Sequence, residues 1–270
     1  MVFKACLKKE FLEEIRTKKF LRYSLFACGM VVLALIVFAM MSLVSKIDIE
    51  ESNEMMGAIK ELFELTYANY TMYFCTFMLT YFTLIYIVMI MNSISKEISQ
   101  NKWILPISAG ILPENMIFAK LIVKTLSLVC AEILAMILHF TTLLIFFKST
   151  SGYGVPNVLL AYLGLILFTV FMSVLTLSIN AISKKGWVSA LVSISLLIVG
   201  TTILENIVIS GKQLITFTPF MFYEMAYNPS LTLNAMQWLI SIFTYLIVIA
   251  GLVVWAIFSN KIKPTKNEDE

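Results

Sequence analysis

Two ionisable side chains lie inside one long apolar stretch and are the residues best placed for chemistry within a membrane. Glu132 and His139 are seven positions apart, so in a helix they fall within about 20° of one another on one face. Ionisable groups in hydrocarbon are costly and face a bundle interior, an aqueous path or each other. The functional hypothesis is that the pair forms a polar lining or a hinge that senses conformation. The structural alternative is that the two side chains make hydrogen bonds to Thr, Ser or Asn180 on a neighbouring helix.

The sequence lacks the motifs of several enzyme classes. Its Gly-Lys pair, Gly211-Lys212, has neither the upstream glycine nor the following Ser or Thr of a phosphate-binding loop. A single histidine argues against a His-Glu-x-x-His zinc site, and no Gly-x-Ser-x-Gly elbow occurs. We therefore expect no catalytic residue, metal or cofactor in this chain. An intramembrane enzyme that uses Glu132 and His139 is kept as an alternative.

The elements that would position these side chains are membrane-spanning helices. Of the 270 residues, 60% are hydrophobic and 14% are charged, which is more apolar side chain than a soluble domain buries. Continuous apolar runs long enough to cross about 30 Å of hydrocarbon predict helices rather than a barrel. We predict an all-α polytopic fold in one transmembrane domain over 1–270, with six spans at about 23–44, 71–94, 116–147, 158–180, 187–209 and 235–258. A broken, apolar segment, Leu204–Leu233, precedes the sixth span and is predicted to form short helices on the outer side, which dip into the outer leaflet or cap the bundle.

Positive charge is concentrated on one side of this topology. All but four of the 20 Lys and Arg residues lie before the first span, in the second-to-third and fourth-to-fifth connections, or after the sixth. The exceptions are Lys46, Lys60, Lys148 and Lys212. The positive-inside rule predicts both termini in the cytoplasm. The net charge of +3 reflects this topology, and we expect no nucleic-acid partner.

A short amphipathic segment connects the second and third spans. Helix start and stop signals predict a cytosolic helix over 95–105: Ser93 or Ser95 as the cap, Glu97 in the first turn and Pro106 after the end. One side is expected to be an exposed ridge with a lysine before it: Lys102, Trp103, Ile104 and Leu105. Tryptophan is enriched both at binding hot spots and in membrane-surface belts. The ridge predicts either contact with a cytosolic partner or anchoring to lipid.

Two further segments show periodic patterns. The N-terminal arm predicts an amphipathic helix over 2–20 in the headgroup layer, because one face carries Phe3, Leu7, Phe11 and Ile15 while other faces carry Lys8, Lys9, Glu13 and Arg16. The second predicted span is aromatic along one side, with threonines between: Tyr70, Phe74, Phe77 and Tyr81, and Thr76, Thr80 and Thr83. This second pattern fits plain helix packing as well as contact with an amphipathic cargo.

Taken in order, these parts resemble the permease subunit of type-2 ATP-binding-cassette (ABC) exporters. The resemblance rests on Ile94-Ser-Lys-Glu97, on Trp103-Ile-Leu-Pro-Ile-Ser108, and on Leu112-Pro-Glu-Asn-Met-Ile-Phe-Ala-Lys120 at the entry to the third span. The arm Lys8-Lys-Glu-Phe-Leu-Glu-Glu-Ile-Arg-Thr-Lys-Lys19 is similar to the elbow helix of that family. Each motif is short, and the resemblance covers the whole chain through their order.

The resemblance implies a coupling helix over 95–105 that sits in a groove of a separate cytosolic ATPase. The implied contact residues are Glu97, Lys102, Trp103, Ile104 and Leu105, with Phe11, Glu13 and Arg16 on the elbow helix. Two permeases, identical or homologous, and two ATPase subunits would form the transporter in a bacterial plasma membrane. ATP and magnesium would bind only to the ATPases.

The resemblance also implies outward transport of a hydrophobic or amphipathic cargo, such as an antimicrobial or toxin-like peptide, from the cytosol or inner leaflet. The implied pathway lies between the second and fifth spans: Phe77, Thr80, Tyr81, Thr83, Ser193 and Thr201, with Glu132 and His139 as further polar candidates. A transporter driven by an ion gradient, with Glu132 carrying protons, is the alternative transport mechanism. An immunity subunit that expels peptides from the bilayer would use the same architecture.

Overall fold

The computed structural model describes residues 2–44, 66–149, 152–209, 212–228 and 235–260. Within these ranges the fold is helical, and six helices are long and apolar enough to cross a membrane, as predicted. The tail lysines after Asn260, and Lys46 and Lys60, lie outside the described residues. The structure therefore assigns the described Lys and Arg residues to one end of the bundle or the other, and the positions of the remaining lysines rest on the sequence alone.

The elements follow the order of the predicted segments. The N-terminal and first long helices are α1 (Val2–Arg16) and α2 (Lys19–Val44). The second long helix comprises α3 (Tyr67–Phe77), a π-helical turn (Met78–Phe82) and α4 (Thr83–Ile90). Next come α5 (Ser95–Ser99), α6 (Ile104–Ser108), α7 (Pro113–Phe146), α8 (Val155–Ser183) and α9 (Gly186–Asn206). The remaining elements are β1 (Val208–Ile209), β2 (Lys212–Gln213), a 3-10 helix (Leu214–Phe217), α10 (Met221–Tyr227) and α11 (Ala235–Phe258).

Contacts between chain ends assign each connection to one end of the bundle. The α4–α7 connection meets the end of α8 through Asn180, and the end of α11 meets the same part of α8 through a hydrogen bond from Asn260 Nδ2 to the Ala181 carbonyl at 3.0 Å. The α1 helix packs on α7 beside that connection. We call this the basic end, because thirteen of the described Lys and Arg residues belong to its segments. The opposite end holds Lys148, the β1–β2 pair and α10.

The second long helix differs from the regular helix that its apolar pattern predicts. Five residues form a π-helical turn, and the Thr83 hydroxyl donates to the Met78 carbonyl at 3.2 Å. A π-helical turn inserts one extra residue into a helix and is frequent at functional sites. Here it shifts the side chains that follow around the helix axis, so the faces read from Tyr70 and Phe74 do not continue unchanged to Tyr86.

Close backbone contact fixes α10 against α8. A Cβ atom added at Gly164 would lie 2.8 Å from the Phe222 carbonyl oxygen and 2.9 Å from the Ala226 nitrogen. Such distances are too short for a carbon atom, and the atoms concerned belong to backbone that cannot rotate away. Only glycine therefore allows the two helices to approach this closely.

We expect Gly164→Ala to lower the free energy of unfolding by about 1–3 kcal/mol, because overpacking forces the α8 and α10 backbones apart. Gly251→Ala is the matched control, since nothing lies within 4 Å of a Cβ at this position in α11. Alanine there should leave stability unchanged or raise it by up to about 1 kcal/mol. Thermal unfolding of both purified variants in one detergent measures the difference. Equal midpoints for the two variants would contradict the close contact.

Candidate functional site

Asn180, near the end of α8, fixes the start of the α4–α7 connection. Its Oδ1 accepts hydrogen bonds from the backbone N–H groups of Ile94 (2.8 Å) and Ser95 (3.0 Å), and its Nδ2 donates to Ser95 Oγ at 3.0 Å. These bonds satisfy donors that the first turn of a helix leaves without partners. Close by, a Cβ added at Gly186 would come within 1.8 Å of Asn92 Oδ1. The connection is thus held tightly against the α8–α9 turn.

A buried network of charged groups holds α5 against α1 and α7. Lys120 Nζ lies 2.9 Å from Glu10 Oε2 and 2.6 Å from Glu97 Oε1, and all three side chains are almost fully buried. The other Glu97 oxygen accepts a hydrogen bond from Trp103 Nε1 at 3.1 Å. One lysine on α7 therefore ties together α1, α5 and the residue that precedes α6.

A second buried ion pair joins α1 to α7 one helical turn further along. Lys124 Nζ donates to Glu14 Oε2, and both side chains are buried. The carboxylates lie four residues apart on α1, and the lysines lie four residues apart on α7. The pairs match in chain order, so α1 and this part of α7 run in the same direction. Removing one partner of a buried ion pair costs about 3–5 kcal/mol, whereas an exposed pair contributes little.

The structure corrects the exposure and the helix predicted over 95–105. Trp103 is 7% exposed rather than part of a ridge, because its indole N–H turns inward to Glu97. Two short helices, α5 and α6, replace the single helix. Asn101 separates them in a left-handed conformation (φ 56°) that asparagine tolerates. Pro106 lies inside α6 instead of following a helix end.

The side chains that do project from this connection are apolar. Ile104 is 60% exposed and Leu105 is 79% exposed, both on the first turn of α6. Lys102 beside them is also exposed. An apolar pair with polar neighbours, mounted on an anchored segment, has the character of an interaction site. We call Ile104 and Leu105 the apolar knob.

The predicted residues of α1 take different positions around the helix. Phe11 is 53% exposed and Arg16 is exposed, whereas Glu13 is half-buried and lies 3.6 Å from Lys19. The apolar face predicted for lipid is thus open, and the buried face carries Glu10 and Glu14. Carboxylate oxygens of Glu10, Glu13 and Glu97 lie within 4.8 Å of one another, as in a metal site. The Lys120 ammonium already binds two of these carboxylates.

Glu132 and His139 are buried inside the bundle and bind different groups. Glu132 Oε1 accepts a hydrogen bond from Thr169 Oγ1 on α8 at 2.9 Å, and Oε2 has no partner among the described residues. His139 Nδ1 lies 2.6 Å from the Tyr162 hydroxyl, and the rings of Tyr70 and Phe74 stack on the imidazole. A threonine is therefore the partner for Glu132, as the structural alternative expected, while Asn180 serves the α4–α7 connection instead.

We expect Glu132→Gln to lower the thermal unfolding midpoint less than Glu132→Ala, because the glutamine oxygen still accepts the Thr169 bond. Glu132→Ala removes the acceptor and should lower stability by about 1–3 kcal/mol, the cost of a buried donor without a partner. Thermal unfolding and an activity assay on both variants give the comparison. If Glu132→Gln folds normally but is inactive, Glu132 has a charge-dependent role and the structural interpretation is wrong.

The predicted pathway residues are not brought together on one open surface. Tyr81 is 51% exposed, Phe77 and Thr80 are half-buried, and the Phe77 and Tyr81 rings lie 5.3 Å apart. Thr83 and Ser193 are buried, and Ser193 accepts a hydrogen bond from Thr176 at 2.9 Å. Thr201 donates to the Leu197 carbonyl of its own helix at 2.9 Å. Most of these hydroxyls are thus used inside the chain.

Sequence reasoning missed Glu10, Glu14, Lys120 and Lys124, which form the strongest charge contacts at the basic end. Their equal spacing of four residues was the available signal.

Comparison of the chain with protein-family models and with curated proteins finds no match. The features that bear on function are therefore the anchored connection and its apolar knob.

Proposed function

We propose that this chain is the transmembrane subunit of an ABC exporter, driven by a separate cytosolic ATPase that docks on the apolar knob. The observation that carries the proposal is the mounting of Ile104 and Leu105. The pair projects from the basic end, and the connection that bears it is fixed to α8 by Asn180 and to α7 by Lys120. A push on the knob would therefore reach two long helices directly.

Charge supports the proposed side of docking. The basic end carries most of the described cations, and the positive-inside rule assigns such an end to the cytoplasm, where an ATPase is found. The motif for binding ATP phosphates is missing from the sequence. Energy in this proposal comes from hydrolysis of ATP, which the partner binds together with magnesium. This chain converts the partner's movement into a change in the arrangement of its helices.

The cargo in this proposal is hydrophobic or amphipathic, with a peptide as the best candidate. Tyr81, the most exposed of the candidate pathway residues, presents an aromatic ring with a hydroxyl, and the threonines near it use their hydroxyls within the helix. Such a surface suits an amphipathic molecule better than an ion or a sugar. A second permease, identical or homologous, would supply the facing half of the pathway.

The proposal predicts an ABC ATPase gene beside the gene for this chain, and co-expression of the two proteins tests it. We expect a stable complex whose ATP turnover rises with hydrophobic peptides and does not respond to small ions. An ion-gradient transporter is the second candidate, because Glu132 Oε2 is buried without a partner among the described residues. That alternative predicts transport into vesicles from a pH gradient alone. Transport without any ATPase would reject the ABC assignment.

A further inference from the structure

An apolar groove of about 310 Å³ lies between α1 and α7 near the basic end. Its lining comes from the exposed face of α1, the start of α2 and one side of α7: Phe11, Ile15, Phe20, Val123, Leu126 and Cys130. The volume is at the small end of the range for ligand pockets. Glu14 also lines the groove, but Lys124 pairs with its carboxylate, so the wall presents no unopposed negative charge.

The turn that adjoins this groove carries exposed cations. The turn that joins Ile15 to Phe20 carries Arg16, Lys18 and Lys19. Lys19 lies 3.6 Å from a Glu13 oxygen. Arg16 and Lys18 are exposed, and neither has a carboxylate oxygen within 4 Å among the described residues. Lys18 is held in a left-handed conformation (φ 54°) at the end of α1, which fixes the turn beside the groove.

We propose that this groove binds one anionic phospholipid, with an acyl chain against Phe11, Ile15 and Leu126 and the phosphate at Arg16 and Lys18. An apolar slot with exposed cations in the adjoining turn matches both parts of such a lipid, since basic residues at a membrane surface attract anionic headgroups. The bound lipid would brace α1 against α7 beside the Glu14–Lys124 pair. The proposal requires only that the long helices cross a membrane and does not depend on what the chain transports.

Native mass spectrometry of the full-length chain in detergent tests the site by resolving single lipid-binding events. The probes are phosphatidylglycerol and phosphatidylcholine with identical acyl chains. Each cation is expected to contribute about fivefold to phosphatidylglycerol affinity. Arg16→Ala/Lys18→Ala should therefore weaken the first phosphatidylglycerol at least about fivefold. Lys184→Ala/Lys185→Ala removes the same charge from another exposed turn of the basic end and should change it less than about twofold.

A groove-filling variant separates the slot from surface charge. Cys130→Phe should weaken the first binding of both lipids, with the unfolding midpoint of the lipid-free chain checked to be unchanged. Leu239→Phe is the control, because it adds an aromatic side chain at an exposed apolar position on α11, outside the groove. It should leave the first binding of both lipids unchanged. The proposal is overturned if Arg16→Ala/Lys18→Ala and Lys184→Ala/Lys185→Ala lose the same amount of phosphatidylglycerol affinity. It is also overturned if the unaltered chain binds the two lipids with equal affinity.

A second copy of the chain is the other possible occupant of the groove. A dimer that forms only in lipid-free samples and is lost in Phe11→Ser would show that the second copy, and not a lipid, fills the groove.

Discussion

Replacing Lys120 with methionine is expected to lower the free energy of unfolding by about 3–5 kcal/mol, the largest effect of any single change considered for this chain. Lys120 is 2% exposed and is the cation between the Glu10 and Glu97 carboxylates. Without it, two buried negative charges face each other across a few ångströms. The expected loss is measured as the fall in the unfolding midpoint of the purified chain in detergent. Lys102→Met is the control, because Lys102 is exposed on the same connection.

A triple variant tests whether charge rather than packing causes that loss. Glu10→Gln and Glu97→Gln remove the repulsion, so adding both to Lys120→Met should recover most of the lost stability. The large cost of removing one member of a buried ion network comes from the charge left without a partner, and this variant leaves no such charge. Trp103 keeps an acceptor in this variant, because glutamine offers an oxygen to its N–H. If Lys120→Met unfolds like the unaltered chain, the network contributes no stability and the anchored connection has another cause.

The second large effect is expected on binding of the ATPase that we propose as the partner. Ile104→Ser/Leu105→Ser should weaken that binding by at least about 30-fold, since an anchor residue of an interface contributes at least about 2 kcal/mol. Both side chains are mostly exposed, so the unfolding midpoint of the isolated chain should stay within about 1 °C of the original, as surface substitutions change stability little. Affinity measured with the purified ATPase, together with thermal unfolding of the chain alone, separates binding from folding.

Leu112→Ser provides the matched control for the apolar knob. Leu112 is 58% exposed at the same end of the bundle, just before α7, and is not on α6. We expect its replacement to change ATPase affinity less than about threefold, within the range of interface positions that carry little binding energy. If both variants weaken the complex equally, general surface hydrophobicity accounts for docking. If neither does, the ATPase does not contact Ile104 and Leu105.

Hydrophobic patterning predicts the long helices of this chain well, and the helix ends differ from the predictions by about four residues or fewer. The reason is that a membrane span must be apolar over its whole length, which gives an unambiguous signal. The π-helical turn at Met78–Phe82 has no such signal. Its sequence, Met-Leu-Thr-Tyr-Phe, resembles the apolar and aromatic residues on either side of it, so hydrophobic patterning does not distinguish it from regular helix.

The sequence predicted where the candidate site lies along the chain, but not the direction in which all of its side chains point. The connection after the second long helix is where the sequence indicated, and Ile104 and Leu105 are exposed as expected. Trp103 and Glu97 instead face inward, because Glu97 accepts a hydrogen bond from Trp103 and binds Lys120, 23 residues further along the chain. Lys120 in turn binds Glu10, which lies 87 residues before Glu97. Local helix signals contain no information about such distant partners. Only the equal spacing of Glu10 with Glu14 and of Lys120 with Lys124 pointed to them.

The inward turn of Trp103 also changes how movement would be transmitted. Glu97 and Trp103 were expected to contact the partner and to transmit its movement, and in the structure they connect the knob to Lys120 on α7. Trp103→Ala should therefore lower the stability of the chain itself, because it removes a buried side chain. In the proposed transporter, the ATPase would push the exposed pair, and the buried groups would carry that push into the bundle.

The most direct measurement of the central claim is photocrosslinking from the apolar knob in the intact cell membrane. A benzophenone amino acid at Leu105 of the full-length chain is irradiated, and the covalent adduct is identified by mass spectrometry. The same amino acid at Val88, an exposed position within α4, serves as the control. The account predicts that Leu105 gives an adduct with an ATPase that carries the phosphate-binding loop missing here, and that Val88 does not. Adducts at Leu105 with lipid alone, from cells in which the chain is active, would contradict it.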